Sequence, residues 1–245
     1  MAEPCRPSYE LDALKNLSNY YAWIVDECAP FLGTRLAEIG GGIGTFTAFL
    51  ARSQVQRHGE RSLDVFEPDA ALHRSLVDRM QSEFRGLIQA GRLRVTHGAF
   101  SPHPQRFDTV VLVNVLEHIP DDESLVRAIH RSLAPGGTVI IFVPALQRLF
   151  SPLDKAVGHL RRYEKRQLRR LLESGGFGIA RATYMDMAGV ITWYLVHVLG
   201  RSQRISARMA EAYDRWVVPL TSAIERRCGA FVGKNLLIIG RKPEV

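Results

Sequence analysis

The chain has 245 residues, 46% hydrophobic and 23% charged, which supports a folded core and excludes a low-complexity or disordered polypeptide. Its 32 Lys and Arg against 25 Asp and Glu leave a net charge of +7, enough to favour an anionic partner, although the basic stretch 161–170 and the arginines after Arg201 read first as solvated helix faces. Cys5, Cys28 and Cys228 are too few and too far apart for a disulfide framework or a Cys-x-x-Cys metal site, so a reducing cytoplasm is the expected compartment.

Pro4, Arg6 and Pro7 stand where a signal peptide would need an apolar core, and no signal peptide is expected. Leu11, Leu14, Leu17, Tyr21, Ile24, Val25 and Cys28 recur at three and four residues and predict an amphipathic helix that Pro30 ends. Leu36 to Ile39 predicts the first strand. It runs into Glu38-Ile39-Gly40-Gly41-Gly42-Ile43-Gly44-Thr45 and then a helix from Phe46 to about Val55. Glycines there can take φ > 0 and let a ligand approach, while the helix start offers free N–H groups. The spacing is wrong for a dinucleotide turn: counted from Gly40, the third residue is Gly42 but the sixth is Thr45.

Leu63 to Glu67 predicts a second strand, with Pro68 and Asp69 opening a helix, and Leu93 to His97 a third, followed by Gly98-Ala99-Phe100. Phe107 to Val113 is a near-continuous apolar run, the pattern of a parallel strand buried on both faces. After Asn114-Val115-Leu116-Glu117-His118-Ile119-Pro120, Asp121 or Asp122 caps a helix over Leu125 to Ala134. Pro135-Gly136-Gly137 reads as a turn into strand Val139 to Val143. A polar loop then carries Asp154 and Gly158-His159-Leu160-Arg161-Arg162-Tyr163 ahead of a helix Lys165 to Ser174. Phe177 to Tyr184 and Asn235 to Gly240 predict the last two strands, separated by some fifty residues of helical pattern broken near Pro219. The longest late apolar run, Ala188 to Leu199, is well short of the roughly 20 residues that span a bilayer.

Glu38 with glycines at alternate positions, Glu67 at the end of the second strand, and Val-Leu-Glu-His-Ile-Pro-Asp-Asp followed by Leu-Ala-Pro-Gly-Gly resemble the motifs of class I S-adenosylmethionine (SAM) dependent methyltransferases over residues 30 to 145. The Gly-His-x-Arg-Arg-Tyr element is similar to one found in a bacterial sub-group. The resemblance implies a Rossmann-like α/β fold: a seven-stranded, mostly parallel sheet in the order 3-2-1-4-5-7-6 with helices on both faces. It also implies one domain over 1–245, with an N-terminal lid helix in 1–30 and substrate-side elaborations at 145–163 and 187–232. The cofactor would be SAM, converted to S-adenosylhomocysteine, with no metal. Its binding residues would be Glu38, Gly40, Gly42, Gly44, Glu67, Pro68, Ala99, Phe100, Asn114, Val115 and Leu116, and Glu67 would accept the ribose hydroxyls. Where many of these enzymes carry an acidic residue against adenine, this chain has Ala99.

Methyl transfer from a sulfonium is an in-line displacement whose barrier can be lowered by about 7–11 kcal/mol through positioning. A general base matters for a hydroxyl acceptor more than for a ring nitrogen. The catalytic candidates are His159, His118 and Tyr163; the substrate candidates are Tyr9, Tyr20, Tyr21, Asp154, Arg161 and Arg162. The resemblance implies a small-molecule acceptor at nitrogen or oxygen, a bacterial secondary metabolite such as a heteroaromatic of the toxoflavin type. The alternatives are O-methylation of a sugar or lipid-linked glycan with peripheral membrane contact through the apolar late helix, and a non-catalytic SAM-fold binding subunit. Asn114-Val115-Leu116 is not the Asn/Asp-Pro-Pro-Tyr/Phe that grips an amide or exocyclic nitrogen, which argues against nucleic acid as partner. A monomer or homodimer is expected.

Overall fold

The architecture is that of a computed structural model, which describes Leu11 and residues 13–244. Seven strands, β1 Arg35–Ile39, β2 Ser62–Glu67, β3 Leu93–His97, β4 Phe107–Val113, β5 Leu133–Pro144, β6 Gly178–Met185 and β7 Asn235–Arg241, form one sheet in the order β3-β2-β1-β4-β5-β7-β6. The pairs from β3 across to β5 are parallel, and β7 runs antiparallel to both β5 and β6. This is the class I order that the motifs imply.

From Ser18 onward the α-helices in chain order are α1 Ser18–Cys28, α2 Thr45–Leu50, α3 Ala70–Gln89, α4 Asp122–Ser132, α5 Pro152–Ala156, α6 Lys165–Ser174, α7 Met187–Trp193 and α8 Ala207–Cys228. A π-helical segment, Ala51–Val55, prolongs α2, and another, Tyr194–Leu199, prolongs α7. Because alternate strand residues point to opposite faces, the apolar runs feed two cores. Leu36, Val111, Ile140 and Phe142 pack under α1, α2 and α3, while Ala37, Val110, Leu112, Val139 and Ile141 pack under α4 and α6. Glu38, two residues from Leu36, therefore points to the α1–α3 side. Among the described residues no helix is long and apolar enough to cross a membrane.

Three departures from the predicted bounds have a clear physical cause. The periodicity that begins at Leu11 does not form one helix: α1 starts at Ser18, and its first amides point at Asp214 of α8. Asp214 Oδ2 accepts the Asn19 N–H at 3.1 Å and Oδ1 the Tyr20 N–H at 2.8 Å. Pro135-Gly136-Gly137 is not a turn between helix and strand but a bulge inside β5, where the pairing with β4 jumps from Phe107↔Leu133 to Thr109↔Thr138. Gly136 supplies the positive φ of 73° that the bulge needs. Finally, α8 is not broken at Pro219. The carbonyl that the proline leaves without an amide belongs to Arg215, on a face exposed to water.

Candidate active site

At the carboxyl ends of β1 and β2 the glycine loop is strapped across both strands. Gly40 N–H donates to the Phe66 carbonyl at 2.8 Å and Gly42 N–H to Glu67 Oε2 at 2.7 Å, while Glu67 Oε1 accepts the Asp69 N–H at 2.9 Å. Gly40, Gly42 and Gly44 all hold positive φ, at 76°, 57° and 81°. They differ in what surrounds them. A Cβ on Gly40 would meet Val115 Cγ2 at 2.5 Å and one on Gly44 would meet Leu76 at 2.9 Å, but one on Gly42 would reach only Leu11, at 3.5 Å.

Glu38 lies beneath this loop, 2% exposed, with no hydrogen-bond partner for Oε2. Burial pushes its carboxyl up to about 8; the Thr47 hydroxyl opposes that shift and the neighbouring Glu67 adds to it. A buried carboxyl oxygen with no donor fits a ligand that brings a cation or an N–H. Around the two buried carboxyls, Pro68, Asp69, Ala99 and Asn114 form an exposed rim. Asn114 takes a left-handed φ of 54°, which Asn tolerates, and Val115 packs on Gly40. Phe100 stands edge-on to Phe66, ring centroids 5.2 Å apart, and Leu116 is buried.

Residues 13–181 match the model of the family described as a methyltransferase domain. This chain belongs to that family. A ubiquinone biosynthesis O-methyltransferase of Ruegeria pomeroyi is 31% identical over 140 residues, 57% of this chain and 52% of the relative. The chain spans about half the length of the curated relatives it matches. Among solved structures, a SAM-dependent methyltransferase of Mesorhizobium loti is 14% identical, with 93% of this chain and 100% of that one covered at a TM-score of 0.57. Phosphoethanolamine N-methyltransferase 2 of Haemonchus contortus, solved with phosphomonomethylethanolamine and S-adenosylhomocysteine, is 17% identical, with 92% of this chain and 53% of that one covered at a TM-score of 0.60.

Beyond Val115 the methyltransferase domain makes a 3-10 turn, Leu116–His118, and the 158–160 segment is hydrogen-bonded along it. His118 Nδ1 donates to the Gly158 carbonyl at 3.2 Å, and Leu160 N–H donates to the Glu117 carbonyl at 2.9 Å. The His118 and His159 rings meet edge to face, centroids 4.7 Å apart. Desolvation and the facing His159 lower the His118 pKa to about 4, with the Gly158 bond opposing, although the side chain keeps an exposed edge. His159 Nδ1 donates to Asp154 Oδ1 at 2.9 Å, and its Nε2 stands 3.9 Å from Glu117 Oε1. Glu117, which the motif reading did not single out, is buried and completes a set with His118 and His159 whose ligand atoms lie within 4.8 Å of one another, close enough to hold a cation. The only sequence sign of it is an acidic residue just past a buried strand; its neighbour His159 comes from another loop.

Behind His159 lies a buried polar frame. Asp154 closes the N-terminal capping box of α5 with Ser151, its Oδ2 accepting the Ser151 N–H at 2.8 Å and hydroxyl at 2.7 Å. Arg162 Nε donates to Asp154 Oδ1 at 2.9 Å, and the guanidinium lies 4.5 Å over the Trp193 ring. Burial works to raise the Asp154 pKa, but the bond from His159 and the charge and bond of Arg162 hold it below the ordinary carboxylate range. Arg161 is the outer arginine of the pair, donating to Asp122 at 2.9 Å and to the Pro120 carbonyl at 3.1 Å. Tyr163 is fully buried, its hydroxyl donating to Asp122 at 2.8 Å, which together with burial moves its pKa upward.

The structure thus brings His118, His159, Asp154 and Arg162 together and sets the Tyr163 hydroxyl in the wall next to Arg161. Tyr21 packs in the core, stacked on Phe49 with centroids 5.6 Å apart, and Tyr20 packs edge-on to Phe142 at 6.2 Å with its hydroxyl bonded by Asn235. Both are thereby engaged in the packing of α1. Tyr9 lies outside the described residues.

Proposed function

We propose that this methyltransferase domain transfers a methyl group from SAM to a hydroxyl oxygen of a small molecule. One observation carries the choice of oxygen: Asp154 takes the Nδ1 proton of His159 as a hydrogen bond, which leaves Nε2 as the acceptor nitrogen beside the Glu117–His118 turn. A histidine oriented by a buried carboxylate is the arrangement of a general base. In this reading His159 Nε2 accepts the hydroxyl proton as the acceptor oxygen gains its methyl, and Asp154 stabilises the resulting imidazolium. Arg162, bonded to Asp154 and stacked on Trp193, positions that carboxylate. The oxygen acceptor also agrees with the curated relatives, which are named O-methyltransferases.

Glu38, Gly40, Gly42, Gly44, Glu67 and the rim from Ala99 to Asn114 would hold the cofactor. Bound there, it supplies an already activated methyl group on a sulfonium. The unpartnered Oε2 of Glu38 suits a cationic end of the ligand, and Glu67 would share its remaining lone pairs with ribose hydroxyls alongside the Gly42 and Asp69 amides. The competing acceptor, a heteroaromatic nitrogen of the toxoflavin type, sheds its proton to water and leaves the His159–Asp154 pair without a use.

Two measurements test this reading. Titration calorimetry with S-adenosylhomocysteine yields binding that Glu67→Ala weakens about 10-fold or more; a blank titration of the parent protein instead makes this a non-catalytic subunit. Incubation with SAM and a panel of hydroxylated metabolites, followed by mass spectrometry and NMR, yields a product carrying one added methyl on oxygen. A methyl found on nitrogen overturns the acceptor assignment.

A further inference from the structure

Nine of the ten large apolar side chains that stand exposed among the described residues lie between Ile191 and Phe231; the tenth is Leu160. They follow helical spacing. On α7 and its π-helical continuation, Ile191, Tyr194, Leu195 and Leu199 share one face, and on α8 Trp216, Leu220 and Ile224 repeat every four residues. The two helices are tied together, since Glu225 of α8 accepts the Met187 N–H of α7 at 2.7 Å and Tyr213 donates to Asp186 at 2.5 Å. A hollow of about 350 Å³ lined by Leu149, Val190, Ile191, Tyr194 and Leu195, with Arg148 as its one charged lining residue, adds to the apolar surface on α7.

The charge on the same segment is one-sided. Arg201, Arg204, Arg208, Arg215, Arg226 and Arg227 are exposed, whereas of its three acids only Glu211 is, Asp214 and Glu225 being buried against α1 and α7. Glu211 keeps its negative charge, and Arg226 is paired with Asp26 at 3.2 Å and Glu27 at 3.6 Å, which leaves Arg201, Arg204, Arg208, Arg215 and Arg227 in excess over that single exposed acid. The Arg215 guanidinium lies 5.0 Å over the Trp216 ring, an aromatic and a cation paired in the apolar stripe.

We propose that the α7–α8 face docks on an anionic lipid bilayer, lying in its interface with the apolar stripes inward and the arginines among the headgroups. Helices with an apolar face and a basic border bind in this way, and negative surface potential draws the basic residues. No described helix could cross the bilayer instead. A second copy of the chain is disfavoured as occupant, because it would bring the same arginines against themselves. The inference rests on exposure and charge alone and stands independently of the methyl-transfer reading.

Co-sedimentation of the full chain with vesicles tests it. The protein is expected to partition to vesicles of phosphatidylglycerol mixed with phosphatidylcholine, far more than to phosphatidylcholine alone, and to be released by salt. Arg204→Gln, Arg208→Gln and Arg215→Gln together should weaken the anionic partition on the order of 100-fold. Trp216→Glu with Leu220→Glu should abolish it while far-ultraviolet circular dichroism stays that of the parent. Equal binding to both vesicle types overturns the proposal, as does a concentration-dependent dimer that the same substitutions dissolve while vesicles go unbound. Should the double variant fail to fold, the unsubstituted protein decides: tryptophan emission shifts to shorter wavelength on anionic vesicles if Trp216 enters the apolar layer, and unshifted emission overturns the proposal.

Discussion

Glu38 has an ordinary carboxyl value of 4.5 and a folded value of about 8, because burial makes its charge costly. A group whose folded pKa is raised contributes stability that is complete below the unfolded value and is lost as pH rises through the folded one. Without cofactor, Glu38→Gln should therefore melt like the parent near pH 4 and above it near pH 9, a gap that differential scanning calorimetry resolves. A cationic ligand at Oε2 would instead favour the ionised form, so cofactor binding near neutral pH should release a proton, seen as a dependence of the calorimetric heat on buffer. His159→Ala should lower turnover about 100-fold or more while S-adenosylhomocysteine affinity stays near that of the parent; equal losses in both would move His159 out of the acceptor site. The placement of Glu38, Glu67 and the glycines at the carboxyl ends of β1 and β2 was legible in the sequence because it is local, fixed by alternate spacing and strand ends. Glu117 was not: its environment is created by His159, a residue of another loop, and no periodicity reports such a meeting.

Within the glycine loop the three left-handed positions carry different constraints. Gly40→Ala places a Cβ in Val115 besides adopting an unfavourable φ, so it should cost more than Gly42→Ala, whose penalty is the left-handed backbone alone, about 1–2 kcal/mol. Urea midpoints without ligand give that ranking, and equal midpoints would remove the packing role of Gly40. Elsewhere, Asp214 accepts from the Asn19 and Tyr20 amides at the start of α1, so Asp214→Ala should lower stability by about 2 kcal/mol. These elements mark where sequence reading works and where it stops. Central strands and the helices capped by Asp69 and Asp121 follow from apolar runs and adjacent caps. The start of α1 depends on a cap 195 residues away, the β5 bulge on its pairing with β4, and the continuity of α8 on which side of it meets water.

Across the whole molecule, contacts between the late insertion and the N-terminal helix turn distant segments into one structural unit. Arg226 of α8 approaches Asp26 and Glu27 of α1 at 3.2 Å and 3.6 Å, and Arg181 of β6 reaches Glu27 at 2.5 Å. Hydrogen exchange should show α1 and α8 opening together, and Asp214→Ala should speed exchange in Ser18–Cys28 without reaching β1 or β4. The joining of α1 to α8 also bears on how the protein is made. On the ribosome α1 is available long before the residue that caps it, so its first amides wait uncapped through the synthesis of nearly two hundred residues while its apolar side packs on whatever part of the sheet already stands. Translation speed over the residues between them then decides how long those amides stay open to chaperones and to other nascent chains.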